Sequence, residues 1–431
     1  MSPYNSYLCL LCDLSMKSYQ NRTSRCLVFL MIAAIISAVF SSCEKDKDEQ
    51  QYDYLVSSQK VKTINVEQVR SVFSLISSVY PEVQDFIDSA VYDVHVYKVV
   101  YKMVFKGSEL NVSGIICLPD ASGNFPMLSF QNGTNTLHSN APSVNLLNTM
   151  FTALQSMSSL GYIILMADYL GFGESTEILH PYYHRESNDA AVAGLIHAGE
   201  EFFMHDKVKA LDDGSLFLMG YSQGGWATLS ALHALENDQP LTRDILAASC
   251  GAGAYDVIEV AGYILQQDEY PSPFYLPYFV ESHIRNGFLN EGLQKYFNEP
   301  YASLIPGLFD GSKSGGAINA ELTDSVRLLV TPGLRENLKT GDDFISLRNE
   351  LSVNSVEAWP SETRLIFFHG EADKNVPSFE SHHIFEAFLQ KGMDPSRVQL
   401  ITIDSLNHDT GLIPWVISTI TSFNELRYSA K

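Results

Sequence analysis

Residues 215–235 combine a strand pattern, a glycine-flanked serine and a helix pattern in direct succession. Residues 215–219 form a short apolar run, which indicates a buried strand, and residues 225–235 carry apolar side chains at helical spacing. Between them, residues 220–224 read Gly-Tyr-Ser-Gln-Gly. Because glycine has no Cβ, such a turn can fold tightly enough to hold its serine in a strained position at the start of a helix. The pattern predicts Ser222 as a nucleophile; the alternative is a serine in an ordinary turn between a strand and a helix.

A serine nucleophile needs a base and an acid that orients the base. Two further strand-like runs follow in the chain, at residues 363–368 and 398–403. Asp373 lies in the loop after the first run, and His408 lies in the loop after the second. The order serine, acid, histidine, with each partner just past a strand, matches the chain order of the nucleophile-elbow hydrolases. We therefore predict Asp373 as the orienting acid and His408 as the general base.

Four neighbouring residues compete for these two roles. Glu371 stands two positions before Asp373 and is expected to be exposed, and His369 at the end of the strand is expected to form structural hydrogen bonds. Asp404 and Asp409 flank the predicted base and would either tune its pKa or cap the turn. The other histidines of the chain, His180 among them, are expected to be surface or packing residues.

An acyl-transfer site also needs donors for the developing oxyanion. The backbone N–H of Gln223, directly after the nucleophile, is expected to supply the first donor. The strand-like run at 125–130 leads into a loop with Gly133, where the backbone can approach the nucleophile closely. The N–H of Thr134 or Asn135 is then expected to supply the second donor; the alternative is an ordinary Asn-Gly turn.

Together these residues predict two-step acyl transfer without a metal or an organic cofactor. Ser222 would attack an ester carbonyl, His408 would move the proton, and water would release the acyl group. A serine peptidase on the same fold and a non-catalytic surface binding protein stay open as alternatives. The sequence does not distinguish among acyl lengths, or among glyceride, aryl and carbohydrate esters.

The motifs resemble those of the α/β-hydrolase superfamily, and more narrowly its secretory-lipase (lipase A-like) branch. The resemblance covers about residues 90–431 and rests on segments 131–134, 167–175, 220–225 and 369–377 and on His-Pro-Tyr-Tyr at 180–183. It implies a mostly parallel central sheet flanked by helices, which the alternation of strand and helix patterns also predicts. The chain departs from the branch at Asn132, where His-Gly-Thr is usual, which puts the second oxyanion donor in doubt.

The N-terminal region resembles a secretory signal. Three basic residues precede an apolar run at 26–40, and its roughly fifteen residues fall short of the ~20 that cross a membrane. Ser-Ser-Cys at 41–43 resembles a bacterial lipobox, so residues 1–42 are predicted to be removed and Cys43 to be acylated. Met16 is the expected true start. The alternative is a plain signal peptide with a chance cysteine.

This resemblance implies an exported bacterial lipoprotein of the outer membrane, facing the periplasm or the cell surface. Residues 43–60 are predicted to be a charged tether. The chain carries 50 acidic and 28 basic residues, a formal net charge of −22, which disfavours nucleic acid and anionic lipid surfaces as partners. The expected partners are a small-molecule or lipid ester and, through Cys43, a membrane. Cys117 and Cys250 are expected to be buried thiols.

The gap between Ser222 and Asp373 is too long for a simple crossover between strands. Core segments are predicted at 61–256 and 346–431, with residues 61–90 helical, and a mainly helical cap is predicted at 257–345. An aromatic run in the cap is expected to line a substrate pocket through Phe274, Tyr275 and Tyr278; packing within the cap is the alternative.

Overall fold

The computed structural model describes residues 52–206, 208–238, 241 and 243–429. The predicted signal segment, Cys43 and the first part of the tether lie outside these residues. The described chain from Tyr52 onward forms one compact unit.

Within the described residues, nine strands form a single sheet, in the order β1-β2-β3-β5-β4-β6-β7-β8-β9. The pairs β1/β2, β2/β3 and β3/β5 are antiparallel, and all pairs from β5 to β9 are parallel. The sheet is therefore mostly parallel, as the sequence predicts. The strands are β1 Leu55–Ile64, β2 Val94–Phe105, β3 Ser108–Pro119, β4 Gly123–Gln131, β5 Ile163–Ala167, β6 Ala210–Tyr221, β7 Asp244–Gly251, β8 Arg364–Gly370 and β9 Val398–Ile403.

Helices cover both faces of this sheet. The α-helices are α1 Val66–Ser77, α2 Gln84–Ser89, α3 Thr149–Ser156, α4 Arg185–His205, α5 Gln223–Asn237, α6 Val257–Gln266, α7 Tyr275–Arg285, α8 Tyr301–Leu304, α9 Gly315–Glu321, α10 Val326–Leu329, α11 Pro332–Asn337, α12 Ile345–Val353, α13 Phe379–Gln390 and α14 Leu412–Ser429. Short 3-10 helices stand at Pro81–Val83, His138–Asn140, Met157–Leu160, Gly173–Ser175, Leu293–Lys295, Ile305–Gly307 and Asp342–Phe344.

Strand β6 shows why the central strands are apolar without interruption. Leu216 and Leu218 point into a core shared with α4 and α5, whereas Phe217 and Met219 point into a second core shared with α1, α3 and α14. Successive side chains of a strand point to opposite faces, so a strand covered on both faces needs apolar residues at every position. The run at the end of β6 thus places the following turn at the edge of a sheet with two buried faces.

Strand β1 corrects the predicted boundary of the tether. The tether is predicted to reach residue 60, but β1 begins at Leu55 and pairs with β2 along its length. The Glu201 carboxylate accepts the backbone N–H groups of Asp53, Tyr54 and Leu55, at 2.9, 3.0 and 2.6 Å. The apolar pattern did not predict this strand because it is an edge strand, in which only the two end residues are buried.

Between β7 and β8 the chain forms helices, turns and two isolated β-bridges, and adds no strand to the sheet. This arrangement agrees with the helical character predicted for residues 257–345. Helix α12 extends to Val353, beyond the predicted end of the cap at residue 345, and the cap as a separate part of the molecule stays a prediction. Cys117 and Cys250 are buried free thiols, as predicted. In the described part of the chain, no helix is both long and apolar enough to cross a membrane.

Candidate active site

Ser222 stands in the turn between β6 and α5, as the sequence predicts. Its φ of 62° and ψ of −125° are strained for a residue with a Cβ. A Cβ on Gly220 would lie 2.1 Å from the carbonyl oxygen of Gly224, and a Cβ on Gly224 would lie 2.1 Å from that of Gln131. Both positions therefore require glycine, and the two glycines let the turn hold Ser222 at the carboxyl edge of the parallel sheet.

The structure brings Ser222, His408 and Asp373 together in one hydrogen-bonded row. His408 Nε2 lies 2.8 Å from Ser222 Oγ, and His408 Nδ1 lies 2.6 Å from Asp373 Oδ2. The three residues come from the loops after β6, β8 and β9, which are parallel and end at the same edge of the sheet. Their exposed fractions are only 9% for Ser222, 6% for Asp373 and 9% for His408.

Electrostatics keep the Asp373 carboxyl ionised. Burial alone raises its pKa, but hydrogen bonds and charge interactions with His369 and His408 outweigh burial and bring the pKa down to about 2. The other carboxylate oxygen, Oδ1, accepts the N–H groups of Asn375 and Val376 at 2.8 and 3.0 Å. The carboxylate is thus fixed in orientation, with Oδ2 turned toward His408.

The competing residues take other partners. The Glu371 carboxylate accepts hydrogen bonds from the Ser378 hydroxyl at 2.6 Å and from His382 at 2.8 Å. Asp404 and Asp409 are exposed. The Tyr221 hydroxyl, one residue before the nucleophile, donates to the backbone carbonyl of His408 at 2.8 Å and so holds the loop that carries this imidazole.

The loop after β4 lies against the nucleophile. A Cβ on Gly133 would lie 3.4 Å from the Tyr221 carbonyl oxygen and 4.0 Å from Ser222 Cβ. The Gln223 N–H belongs to the first turn of α5, where backbone donors have no intrahelical acceptor. Gly133 and Gln223 therefore both stand next to Ser222. The donor roles of Gln223 and of Thr134 stay predictions.

Asn132 braces this loop although it replaces the usual histidine. Its side-chain amide donates to the Ala167 carbonyl at 2.6 Å, and its own carbonyl accepts from the Tyr169 hydroxyl at 3.3 Å. The Thr134 hydroxyl lies 2.8 Å from the Tyr182 hydroxyl. Hydrogen bonds to two other parts of the chain, residues 167–169 and Tyr182, thus hold residues 132–134 beside the nucleophile.

His180 takes part in the site, which sequence reasoning missed. It is buried, its Nδ1 lies 2.8 Å from the Leu170 carbonyl, and its Nε2 lies 3.0 Å from the Gln223 side-chain amide. Since a carbonyl only accepts, Nδ1 carries the proton and Nε2 accepts from Gln223. Burial lowers the pKa of His180 to about 4, so the ring stays neutral near pH 7. No spacing rule links His180 to a residue 43 positions later.

An apolar cavity with about 490 Å³ of empty space, including its open mouth, adjoins Ser222. Tyr275, one of the three residues predicted for a substrate pocket, lines it together with Leu276 and Phe279 of the same helix. These three side chains lie within an arc of about 100° on α7, given 3.6 residues per turn.

Phe274 and Tyr278, the other two residues predicted for a substrate pocket, do not line this cavity. Tyr278 lies about 60° around α7 from Tyr275, outside this arc. It stacks on Tyr182 and Phe309 at 4.5 and 4.8 Å between ring centroids and donates to the Asn135 carbonyl at 3.0 Å. Phe274 stands before the first turn of the helix and packs against Gly315. An aromatic run on a helix divides among different faces, so its members do not share one environment.

Helix α6 also contributes apolar side chains to the lining, which sequence reasoning missed. Val257, Val260, Ala261 and Ile264 line the cavity at positions i, i+3, i+4 and i+7, and this spacing in the sequence was the available signal. Further lining residues come from four other segments: Tyr182, Tyr183, Ala254, Leu351, Asn375 and Val376.

No protein-family model and no curated protein matches this sequence. Solved structures do resemble it. A Legionella pneumophila protein assigned as a hydrolase has a TM-score of 0.76 and 23% identity, covering 86% of this chain and 98% of its own. The rice cell wall degrading esterase LipA of Xanthomonas oryzae has a TM-score of 0.72 and 20% identity, covering 86% and 97%.

A more distant likeness extends to Candida antarctica lipase A in its closed state, with a TM-score of 0.63 and 13% identity, covering 89% of this chain and 85% of the lipase. At these identities the likeness is one of fold. Together with the mostly parallel sheet, it shows that this chain has the α/β-hydrolase fold predicted from its sequence.

Proposed function

We propose that this chain is a carboxylic ester hydrolase, an esterase or lipase, that works through an acyl-enzyme formed on Ser222. The observation that carries the proposal is the hydrogen-bonded row of Asp373, His408 and Ser222 beside an apolar cavity. The solved structures with a similar fold include an esterase and a lipase, which supports the same reaction class.

The hydrogen bonds suit one tautomer of His408. Because the Asp373 carboxylate only accepts, Nδ1 donates to it, and Nε2 is left with a lone pair facing Ser222 Oγ. Nε2 takes the hydroxyl proton as Oγ attacks the ester carbonyl, and Asp373 stabilises the imidazolium that forms. The C=O π electrons move to the carbonyl oxygen, where the Gln223 N–H and a donor near Thr134 stabilise the negative charge.

The intermediate then collapses. The C–O bond to the alcohol breaks, and Nε2 returns the proton to the leaving oxygen, which yields the free alcohol and an acyl group on Ser222. Water attacks this acyl-enzyme with His408 again as the base, and the acid product leaves. The apolar lining of the cavity suits an acyl chain.

Wild-type protein is expected to hydrolyse p-nitrophenyl esters in a panel from acetate to palmitate and to leave matched peptide p-nitroanilides nearly intact. Ser222→Ala should remove this activity, and a fluorophosphonate probe should label Ser222 only. Ser405→Ala, at an exposed serine in the loop before His408, is the matched control and should retain activity. Faster cleavage of the anilides would make the protein a peptidase. The absence of both turnover and labelling would favour a non-catalytic binding protein.

We also propose that Cys43 is acylated and holds the enzyme at a membrane, as the signal-like run and the Ser-Ser-Cys sequence suggest. Cys43→Ser should move the protein from the membrane fraction to the soluble fraction. Cys26→Ser, at the start of the apolar run, is the matched control and should leave it membrane-bound. Mass spectrometry of the N-terminal peptide checks the modification, and an unmodified N-terminus on the native protein would refute it.

A further inference from the structure

His369 is a fully buried histidine that the proposed reaction does not use directly. It belongs to β8, four residues before Asp373. Its Nδ1 lies 2.7 Å from the Ser381 hydroxyl of α13, and its Nε2 lies 3.0 Å from the Val376 carbonyl. Because that carbonyl only accepts, Nε2 carries a proton. Both ring nitrogens therefore have partners, and the ring cannot turn without breaking a bond.

The same Nε2–H also reaches the orienting carboxylate. His369 Nε2 lies 3.4 Å from Asp373 Oδ2, the oxygen that receives His408 Nδ1 at 2.6 Å. The N–H thus points to the Val376 carbonyl and lies beside Asp373 Oδ2, and the N–H of Val376 in turn donates to Asp373 Oδ1 at 3.0 Å. His369 consequently holds both the loop of residues 370–376 and one oxygen of its carboxylate.

We infer that His369 is a positioning residue, which keeps the Asp373 carboxylate ionised and turned toward His408. The inference rests on the proposed ester hydrolysis. Burial pushes the pKa of Asp373 up, and the interaction with His369, whose Nε2 lies 3.4 Å from Oδ2, is the leading contribution that opposes it. Without this interaction the carboxyl takes up a proton at a higher pH, and a protonated acid holds Nδ1–H of His408 less well.

Four titratable groups near Asp373 stay neutral in the acid range. They are tyrosines from the end of β6, from α6 and from the region where α7 begins, and burial raises the pKa of each: Tyr221, Tyr263, Tyr270 and Tyr275. These tyrosines therefore do not contribute to the acid side of a pH profile.

Three variants test the inference through kcat/KM measured from pH 4 to pH 9. In His369→Phe an aromatic ring remains but both nitrogens are lost. The fall of kcat/KM at low pH, here called the acid limb, is therefore expected to begin at a higher pH. At pH 5 the loss should be about tenfold, which corresponds to ~1.4 kcal/mol, with a small loss at pH 8 and an unchanged KM. His369→Gln places an amide N–H near the site of Nε2 and should restore the acid limb. Phe367→Leu, at a fully buried position of the same strand, should lower stability without moving the limb.

Urea unfolding between pH 6 and pH 3 gives a readout that needs no activity. Asp373 has a depressed pKa, so its contribution to stability is present above the unfolded-state pKa of ~3.9 and is lost as the pH falls toward 2. The stability advantage of wild type over His369→Phe should therefore shrink as the pH falls. An active wild type whose His369→Phe variant keeps its acid limb overturns the inference. A wild type that hydrolyses no ester overturns the proposed function instead. Unfolding then decides the role of His369. If the stability difference between wild type and His369→Phe stays constant with pH, the inference about His369 is overturned.

Discussion

Ser222→Ala is expected to lower kcat for ester hydrolysis by ~10⁴–10⁶-fold, because it removes the hydroxyl that His408 Nε2 contacts and that would form the acyl-enzyme. His408→Ala should cost a similar factor, since the serine hydroxyl then has no base. The residues act as a unit, so the double variant should lose little more than either single variant. Initial rates on p-nitrophenyl butyrate, with circular dichroism to verify folding, check this.

Asp373→Asn is expected to lower kcat by ~10⁴-fold while leaving the fold intact. The N–H groups of Asn375 and Val376 face the first carboxylate oxygen, so the amide oxygen would stay on that side. The amide NH₂ would then face His408 Nδ1 and favour the tautomer with its proton on Nε2, which cannot accept the serine proton. A variant that keeps near-native rates would contradict the assignment of Asp373. In Glu371→Gln, the matched control two residues away, the rate should change little.

Ala261→Phe is expected to shorten the acyl chains that the enzyme accepts. Ala261 lines the cavity from α6, so a phenyl ring at this position fills space that an acyl chain would occupy. Each buried methylene is worth ~0.8 kcal/mol, so kcat/KM should rise about fourfold per methylene in wild type until the cavity is full. In the variant this rise should stop at a shorter chain, with acetate little changed.

Tyr278→Phe is the matched control for this experiment. The Tyr278 hydroxyl donates a hydrogen bond to the Asn135 carbonyl outside the cavity. Loss of this hydroxyl should therefore change kcat/KM for esters of all lengths in the same proportion. Measuring kcat/KM on the p-nitrophenyl esters from acetate to palmitate gives the dependence on acyl length for both variants. If Ala261→Phe lowers acetate and palmitate equally, the acyl chain binds elsewhere and the cavity beside Ser222 holds another part of the substrate.

Much of the site was predictable because its signals are local. A short apolar run, two glycines and a helix pattern within about twenty residues determine the turn that holds Ser222. Asp373 and His408 follow strands, and parallel strands end at one edge of a sheet, so sequence position predicts their proximity. The geometry agrees, with each pair of neighbours within hydrogen-bonding distance.

The errors concern which way a side chain points. Phe274, Tyr275 and Tyr278 are close in sequence, but only Tyr275 lines the cavity, because the rotation of α7 against α6 decides which face turns inward. The edge strand β1 escaped notice because it buries few side chains, and its pairing with β2 depends on backbone hydrogen bonds that any sequence can form.

By itself, the sequence of this protein determined the class of fold, the serine turn and the strand ends that carry its partners, since apolar periodicity and glycine act over a few residues. Only the tertiary structure showed which carboxylate oxygen of Asp373 receives His408, that Glu371 bonds His382, that His180 holds Gln223, and that His369 Nε2 lies 3.4 Å from Asp373 Oδ2. These contacts join segments whose distance and angle follow from how helices and loops pack on the sheet, and no short-range pattern encodes that packing.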